Sequence, residues 1–205
     1  RRYIKEVLRT HSIYNEILFK SDTGKTRARL GLRANYIEEF SDFFLEPRIS
    51  FNQTLLKVFR IEVLGELKSQ TTSQIIDLQN DFLGIEKRRW ILADNNHIPL
   101  IQSQQISTGI HYNKNELLIS LEGYYKYVEG ITSRSQGFQN QYQFVNAIGS
   151  YSITGIDFLI NKQFKNISTW LSYSYSKYKY TFRVLNNGSI FAYNFESGDQ
   201  LKLGG

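Results

Sequence analysis

Hydrophobic and polar residues alternate with a period of two along most of this chain. The clearest stretch runs from Glu116 to Ile131, where one parity is aliphatic or aromatic and the other is mostly polar. Such a period predicts a β-strand with one apolar and one polar face. The apolar parity holds Leu117, Ile119, Leu121, Tyr125, Tyr127 and Ile131, and the polar parity holds Ser120, Glu122, Tyr124 and Lys126.

The same alternation recurs elsewhere and predicts about nine strands in total. Two other stretches have helical spacing. Residues 3–8 fit either a helix or a strand, and residues 75–85 predict a short helix inside a loop. The predicted strands lie near residues 13–19, 28–36, 45–55, 59–70, 106–112, 116–131, 156–161 and 171–176, with the last near residue 200.

The breaks between these strands are of two kinds, short and mostly longer, which alternate along the chain. An antiparallel meander would place every short break at one end of the sheet, and outer-membrane barrels have this asymmetry. Alternation over about 12–18 residues also exceeds the ~9–11 residues that a strand needs to cross a bilayer. The pattern therefore predicts an all-β, antiparallel transmembrane β-barrel. The short breaks are residues 21–25, 56–57, 113–115 and 162–166, and the others are residues 38–42, 77–103, 134–141 and 185–198.

The composition agrees with this fold class. No apolar run among the 205 residues approaches the ~20 residues of a membrane-spanning helix. A mean hydropathy of −0.38 is compatible with a barrel, because only alternate residues of each strand face lipid. The absence of Cys excludes disulfides and thiolate metal sites. A net charge of +6 leaves open an anionic partner such as lipopolysaccharide.

The longest predicted connection, residues 77–103, is the best candidate for contact with a ligand. A segment that only joins two strands would not need so many hydrogen-bond donors, although a solvated loop bound to lipopolysaccharide phosphates is an open alternative. Basic residues beside a tryptophan also suit nucleic acid, but they serve any anionic or sugar-like ligand equally, and we expect no nucleic-acid partner. The candidate residues are Lys87, Arg88, Arg89, Trp90 and His97.

Catalytic and metal-binding patterns are not found in the sequence. His11, His97 and His111 lack the spacing of metal ligands. No nucleophile, general base and orienting group can be combined into one site. We therefore expect no enzymatic activity, no metal site and no cofactor.

The parity of each strand predicts which side chains face lipid and which face the interior of the barrel. Tyrosines between residues 124 and 127 and between residues 173 and 180 are expected to form the outer interfacial girdle. The predicted lipid-facing residues are Leu121, Tyr125, Phe158, Leu171, Tyr173 and Tyr175. The predicted interior residues are Glu46, Arg48, Arg60, Glu62, Glu66, Glu122 and Asp157.

Several short segments resemble the barrel of TonB-dependent outer-membrane receptors, particularly those of the Bacteroidota. Leu45-Glu46-Pro47-Arg48-Ile49-Ser50 resembles the Glu-Pro-Arg strand of this family. The similar segments occur in the order and at the spacing of the family, and together they span most of residues 11–203. One departure is Phe195-Glu196-Ser197-Gly198-Asp199, where the family often has an Asp-Arg-His element. The other similar segments are Tyr124-Tyr125-Lys126-Tyr127, Gly155-Ile156-Asp157, Trp170-Leu171-Ser172-Tyr173-Ser174-Tyr175-Ser176 and Leu185-Asn186-Asn187-Gly188.

The resemblance implies active uptake of a ligand across the outer membrane. Residues 1–205 are then expected to be one segment of a barrel domain, about nine of its ~22 strands, with the plug domain and the other strands outside this sequence. The implied partners are outer-membrane lipid, lipopolysaccharide and, through the plug, the TonB–ExbB–ExbD motor. Siderophore, haem, cobalamin, oligosaccharide and peptide all stay open as ligands. A passive porin and a soluble all-β carbohydrate-binding domain are the alternative functions.

The Glu-Pro-Arg segment also has a physical interpretation. Pro47 cannot donate a hydrogen bond to a neighbouring strand, so it is expected at a bulge or at an edge. Glu46 and Arg48 share the interior parity. We expect these residues to shape the wall without contacting the ligand.

Overall fold

The alternating stretches form β-strands in the computed structural model, which describes residues 7–77, 87–94, 97–132, 147–186, 189–195 and 200–204. Within these ranges, no helix is long and apolar enough to span a membrane. The strands are β1 Thr10–Lys20, β2 Thr26–Ile37, β3 Asp42–Leu55, β4 Phe59–Gln70, β5 Thr72–Asp77, β6 Lys87–Leu92, β7 Ile101–Lys114, β8 Leu117–Thr132, β9 Ile148–Gln163, β10 Ser168–Asn186, β11 Ser189–Phe195 and β12 Gln200–Gly204.

Ten of the strands form one antiparallel meander. The order is β1-β2-β3-β4-β7-β8-β9-β10, and both β11 and β12 pair with the far edge of β10. β11 pairs with Tyr178–Asn186 and β12 with Trp170–Ser174 of the same strand. Together, β11 and β12 therefore occupy the place of one strand beside β10. The expected number of about nine strands is confirmed in this sense. β5 and β6 pair with each other in a separate two-stranded hairpin between β4 and β7.

The meander places the short breaks at one end of the sheet, which we call the turn end. Two of these turns need residues with positive φ, at Leu56 and Lys57 and at Asn115 and Glu116. Positive φ at both central residues gives a turn whose twist matches that of the flanking strands. The short breaks between described strands at this end are residues 21–25, 56–58, 115–116 and 164–167.

The opposite end, which we call the loop end, differs from the expectation in one place. The connection between β2 and β3 is the turn of residues 38–41, close to the expected 38–42, and the expected connection over residues 134–141 lies outside the described residues. The expected connection over residues 185–198 is wrong, because β10 continues to Asn186 and β11 begins at Ser189. The β5–β6 hairpin is the largest described insertion at the loop end.

Residues that pair across the strands share a face of the sheet. Leu121 lies opposite Ile110 on β7 and opposite Phe158 on β9, and Phe158 lies opposite Tyr173 on β10. This face is exposed, with Leu121 at 48% and Ile106 at 55%. On the other face side chains crowd together, with Glu46 at 5% and Ser107 at 6% exposed. Because bending a sheet crowds its inner side, we call the first the convex face and the second the concave face.

A β-bulge in β8 overturns one parity prediction. The register with β9 shifts between Glu129 and Ile131, and Gly130 has a φ of 77°. A Cβ atom on Gly130 would lie 2.3 Å from the carbonyl oxygen of Leu100, so this position needs glycine. The prediction that Ile131 shares the face of Leu121 is wrong, because the bulge turns Ile131 to the concave face, where it is 2% exposed.

Two apolar clusters occupy the concave face near the loop end. One contains Val128, Ile131, Ala147 and Phe182. The other contains Ile37, Ala93 and Leu100, with Leu8, Phe40 and Phe44 packed against it. The concave face is therefore not polar along its whole length.

The stretches with helical spacing do not form a helix where they are described. Ile75 lies in β5, so the predicted loop helix is wrong at this residue. Leu78, Phe82, Ile85, Tyr3 and Ile4 lie outside the described residues. Val7 and Leu8 precede β1 without regular secondary structure.

Candidate functional site

The sheet opens beside Pro47, and we call this opening the β3–β4 seam. β3 pairs with β4 only from Arg48 to Leu55, although it stays paired with β2 back to Asp42. β4 in turn stays paired with β7 up to Gln70. Continuing the register would place Pro47 opposite Leu67, and proline has no N–H to donate. The expectation that Pro47 stands where a ladder is interrupted is confirmed.

The side chain of Glu46 bridges the seam. Its Oε1 accepts hydrogen bonds from the backbone N–H of Ser69 at 2.9 Å and from the Ser69 hydroxyl at 2.6 Å. The carboxylate thus satisfies a backbone donor that has lost its neighbouring strand. Arg48 Nη2 lies 3.9 Å from Glu46 Oε2, so these two residues pair along β3. Within the described residues, the buried Nε of Arg48 has no hydrogen-bond partner.

Cavities lie on both sides of the seam. A concave-face cavity of about 290 Å³ is lined by Tyr14, Glu16 and Arg29 together with seam residues. A convex-face groove of about 420 Å³ is lined mainly by apolar residues, including Leu30, Ile106 and Tyr125. Both contain Gly65, which packs against Ile49, and both arise where the two strands diverge.

Another cavity, of about 360 Å³, lies on the concave face toward the loop end, and we call it the inner cavity. It spans β4, β7, β8 and β9. Its floor is apolar, and its other side carries hydroxyl, amide and ammonium groups. The lining residues are Lys68, Ser69, Gln70, Ile101, Ser103, Lys126, Val128, Ile131 and Tyr151.

The charges around the inner cavity are unbalanced. Among the described residues, its lining contains two lysines and no carboxylate. Lys68 Nζ lies 2.7 Å from Glu66 Oε1, just beyond the lining. None of the ion pairs within 4.0 Å among the described residues involves Lys126. The cavity therefore keeps one uncompensated positive charge beside an apolar floor.

Nearer the turn end, the concave face carries a network of polar side chains. His111 Nδ1 lies 2.9 Å from the Ser120 hydroxyl, and His111 Nε2 lies 4.0 Å from Glu62 Oε2. Arg60 Nε lies 3.9 Å from the same carboxylate oxygen. The distances to Glu62 are longer than a hydrogen bond, so these contacts contribute little to stability. No group of three or more His, Cys, Asp or Glu among the described residues is arranged to hold a metal ion.

The structure places the two predicted sets of wall residues on opposite faces. Register puts Leu121, Tyr125, Phe158, Leu171, Tyr173 and Tyr175 together on the convex face. It puts Glu46, Arg48, Arg60, Glu62, Glu66, Glu122 and Asp157 together on the concave face, with Glu122 directly opposite Asp157.

The tyrosines expected in a single girdle are divided between the faces. Tyr125, Tyr127, Tyr173 and Tyr175 lie on the convex face. Tyr124, Tyr178 and Tyr180 lie on the concave face, so including them in a lipid-facing girdle is wrong. Tyr180 instead packs against Tyr151, with ring centroids 5.3 Å apart and the ring planes tilted by 39°.

The predicted ligand-binding residues lie at the loop end, but mainly in a strand. Lys87, Arg88, Arg89 and Trp90 belong to β6, which pairs with β5. Trp90 is 65% exposed. His97 follows β6 and is exposed, and its backbone N–H donates to Asp94 Oδ1 at 2.5 Å. The description of residues 87–89 covers the backbone alone, so their contact with ligand stays a prediction.

The residues of the inner cavity were not identified from the sequence. The alternation in β8 predicts the interior side for Lys126, but parity alone does not reveal its neighbours. Lys68 on β4 and Lys126 on β8 come together because β7, the strand between them, follows β4 in the sheet across the β5–β6 insertion. Val128 and Ile131 come together only through the bulge at Gly130.

Comparisons with known proteins support the fold. No protein-family model matches the chain, and no curated protein matches it. Its fold is similar to the crystal structure of the siderophore receptor PirA from Acinetobacter baumannii, with a TM-score of 0.54 and 12% sequence identity. The match covers 96% of this chain and 39% of that chain. The likeness supports an all-β antiparallel fold of the outer-membrane barrel kind.

Proposed function

We propose that this chain forms part of the wall of a TonB-dependent outer-membrane receptor and serves the active uptake of a ligand. One observation carries the proposal: a long antiparallel sheet has a continuous exposed apolar face opposed by a charged one. A bilayer solvates such an apolar face, whereas water does not. The likeness to a siderophore receptor supports the same function and makes ferric siderophores the first ligands to test.

In this proposal, residues 1–205 are one segment of a larger barrel domain. The neighbour's chain is much longer than the matched region, which covers 39% of it. The plug and the remaining strands then belong to other parts of the receptor. Outer-membrane lipid and lipopolysaccharide contact the convex face, and the TonB–ExbB–ExbD motor acts through the plug. Lys87, Arg88, Arg89, Trp90 and His97 are proposed ligand contacts at the loop end.

The convex face separates this proposal from a soluble carbohydrate-binding domain. Leu121, Ile110 and Phe158 are neighbours on three adjacent strands, and Ile106, Tyr125 and Ile156 extend the same surface. A soluble domain seldom exposes a contiguous apolar patch of this kind. A passive porin would share the convex face, so energy dependence must separate porin from receptor.

The proposal is tested with the intact receptor in the outer membrane of a bacterium that lacks its own siderophore receptors. We expect radiolabelled iron from a ferric siderophore to accumulate, and deletion of the TonB gene to abolish this accumulation. The purified receptor should not make liposomes permeable to small sugars, because a plugged barrel has no open channel. TonB-independent accumulation with rapid liposome swelling would identify a porin. Recovery in the detergent-free soluble fraction would identify a soluble domain.

A further inference from the structure

The inner cavity has the features of a small-molecule site on the concave face. Its volume of about 360 Å³ lies within the range of ligand pockets, ~300–1,000 Å³. Such pockets combine apolar walls with a few polar groups that fix the orientation of the ligand. Here the apolar walls are Ile101, Val128 and Ile131, and the polar groups are contributed by β4, β7 and, through Lys126, β8.

The positive charge of the inner cavity favours a negatively charged ligand. Glu66 already pairs with Lys68 at 2.7 Å, which leaves Lys126 as the unpaired cation among the described lining residues. A charged group in a partly buried cavity is most stable with an opposite charge beside it. The hydroxyl of Ser103 also lines the cavity and can donate a hydrogen bond to an anion, whereas the Ser69 hydroxyl already donates to Glu46.

The aromatic residues at the floor of the inner cavity favour a ligand that contains a planar ring. Tyr151 is half-buried and is held by Tyr180, with ring centroids 5.3 Å apart. Fully buried Phe182 packs with Val128 and Ile131 beneath them. A fixed aromatic surface of this kind favours a planar ring, which packs at centroid distances of ~4.5–7 Å.

We infer that the inner cavity binds a small organic anion that carries an aromatic ring, with Lys126 holding the anionic group and Tyr151 contacting the ring. This inference rests on the proposed function only in treating the concave face as the ligand path. Lipid phosphate is a different source of anionic groups, and it would approach from the convex face.

The test uses the intact receptor, purified in detergent free of lipopolysaccharide, and benzoate as the probe. Saturation-transfer NMR titrations give the Kd of benzoate and of three matched probes: benzyl alcohol, acetate and inorganic phosphate. Benzoate combines ring and charge, so it should bind more tightly than the other three. Binding of phosphate as tightly as benzoate would assign the cavity to phosphate groups and overturn the inference. Benzyl alcohol binding as tightly as benzoate would also overturn it.

Substitutions locate the site. Lys126→Ala should weaken benzoate binding about tenfold, since it removes a charge-assisted hydrogen bond. Lys126→Arg should retain most of the affinity. Tyr151→Ala should weaken benzoate binding while leaving the weak binding of acetate unchanged. Lys114→Ala, an exposed lysine at the turn end of β7, is the matched control and should leave the Kd unchanged. An unchanged Kd in correctly assembled Lys126→Ala would place the anion elsewhere.

The binding test and the uptake test can fail separately. Binding of benzoate does not need the inner-membrane motor. Energy-dependent uptake with no effect of Lys126→Ala on benzoate would refute this inference and leave the proposed function standing. Lys126-dependent binding in a protein without energy-dependent uptake would refute the proposed function and leave the site standing.

Discussion

Across β7–β10 the two faces of the sheet change character in opposite directions. On the convex face, the residues in the middle of the strands are aliphatic or aromatic, whereas those near the loop end are polar. The polar residues are Ser150, Ser152, Lys177 and Lys179. On the concave face, charged residues of the middle give way near the loop end to Val128, Ile131, Tyr151, Tyr180 and Phe182. On these strands, the apolar part of one face therefore lies mostly behind the polar part of the other.

This difference follows from what each face must contact. In the proposed membrane setting, only the part of the convex face within the hydrocarbon needs to be apolar. The concave face never contacts hydrocarbon, so its apolar residues serve packing or ligand. Side chains on the concave face are also crowded by curvature, whereas those on the convex face are not. Substitutions on the two faces are therefore expected to differ in cost.

The largest expected effect on stability is that of placing an arginine on the convex face and not on the concave face. Leu121→Arg should lower the free energy of unfolding of the intact barrel by about 2–4 kcal/mol, because arginine would enter the hydrocarbon. Glu122→Arg, the adjacent residue on the concave face, should cost much less. Urea titrations in lipid vesicles, followed by tryptophan fluorescence, measure both values. Equal losses for the two variants would contradict the assignment of the convex face to lipid.

A smaller effect is expected at the β3–β4 seam, where the concave side chain of Glu46 stabilises the opening. Glu46→Ala should lower the free energy of unfolding by about 1–3 kcal/mol, because the backbone N–H of Ser69 loses its acceptor. Glu46→Gln keeps an acceptor oxygen and should cost less. The same urea titration measures both. A loss in Glu46→Gln as large as in Glu46→Ala would mean that charge, rather than the bridging hydrogen bonds, stabilises the seam.

The smallest expected effect compares two strand glycines on opposite faces. A Cβ atom on Gly155 would lie 2.4 Å from the ring of Tyr124, whereas a Cβ atom on Gly123 would meet nothing within 4 Å. Gly155→Ala should cost about 1–2 kcal/mol because the tyrosine must move. Gly123→Ala should be neutral or slightly stabilising. Thermal unfolding of the intact receptor ranks the two variants, and a greater loss in Gly123→Ala would refute the crowding of the concave face.

The sequence by itself determined most strands of the large sheet and its two faces, but not β5, β6 and β11. Alternation is a local property, and a period of two allows only one arrangement of side chains on an extended backbone. This is why the sequence separated Leu121 from Glu122 and Phe158 from Asp157. The end of the β3–β4 pairing beside Pro47 was also a local matter, since proline has no N–H to donate to a neighbouring strand.

Only the tertiary structure decided which residues of different strands meet. Glu46 and Ser69 are 23 positions apart, and their hydrogen bonds exist because β3 leaves β4 at Pro47. The bulge at Gly130 moved Ile131 to the other face, because a single extra residue inverts the parity of everything after it. The inner cavity joins Lys68 to Lys126 across β7, and its neighbours are set by sheet order and register, which depend on pairing between distant parts of the chain.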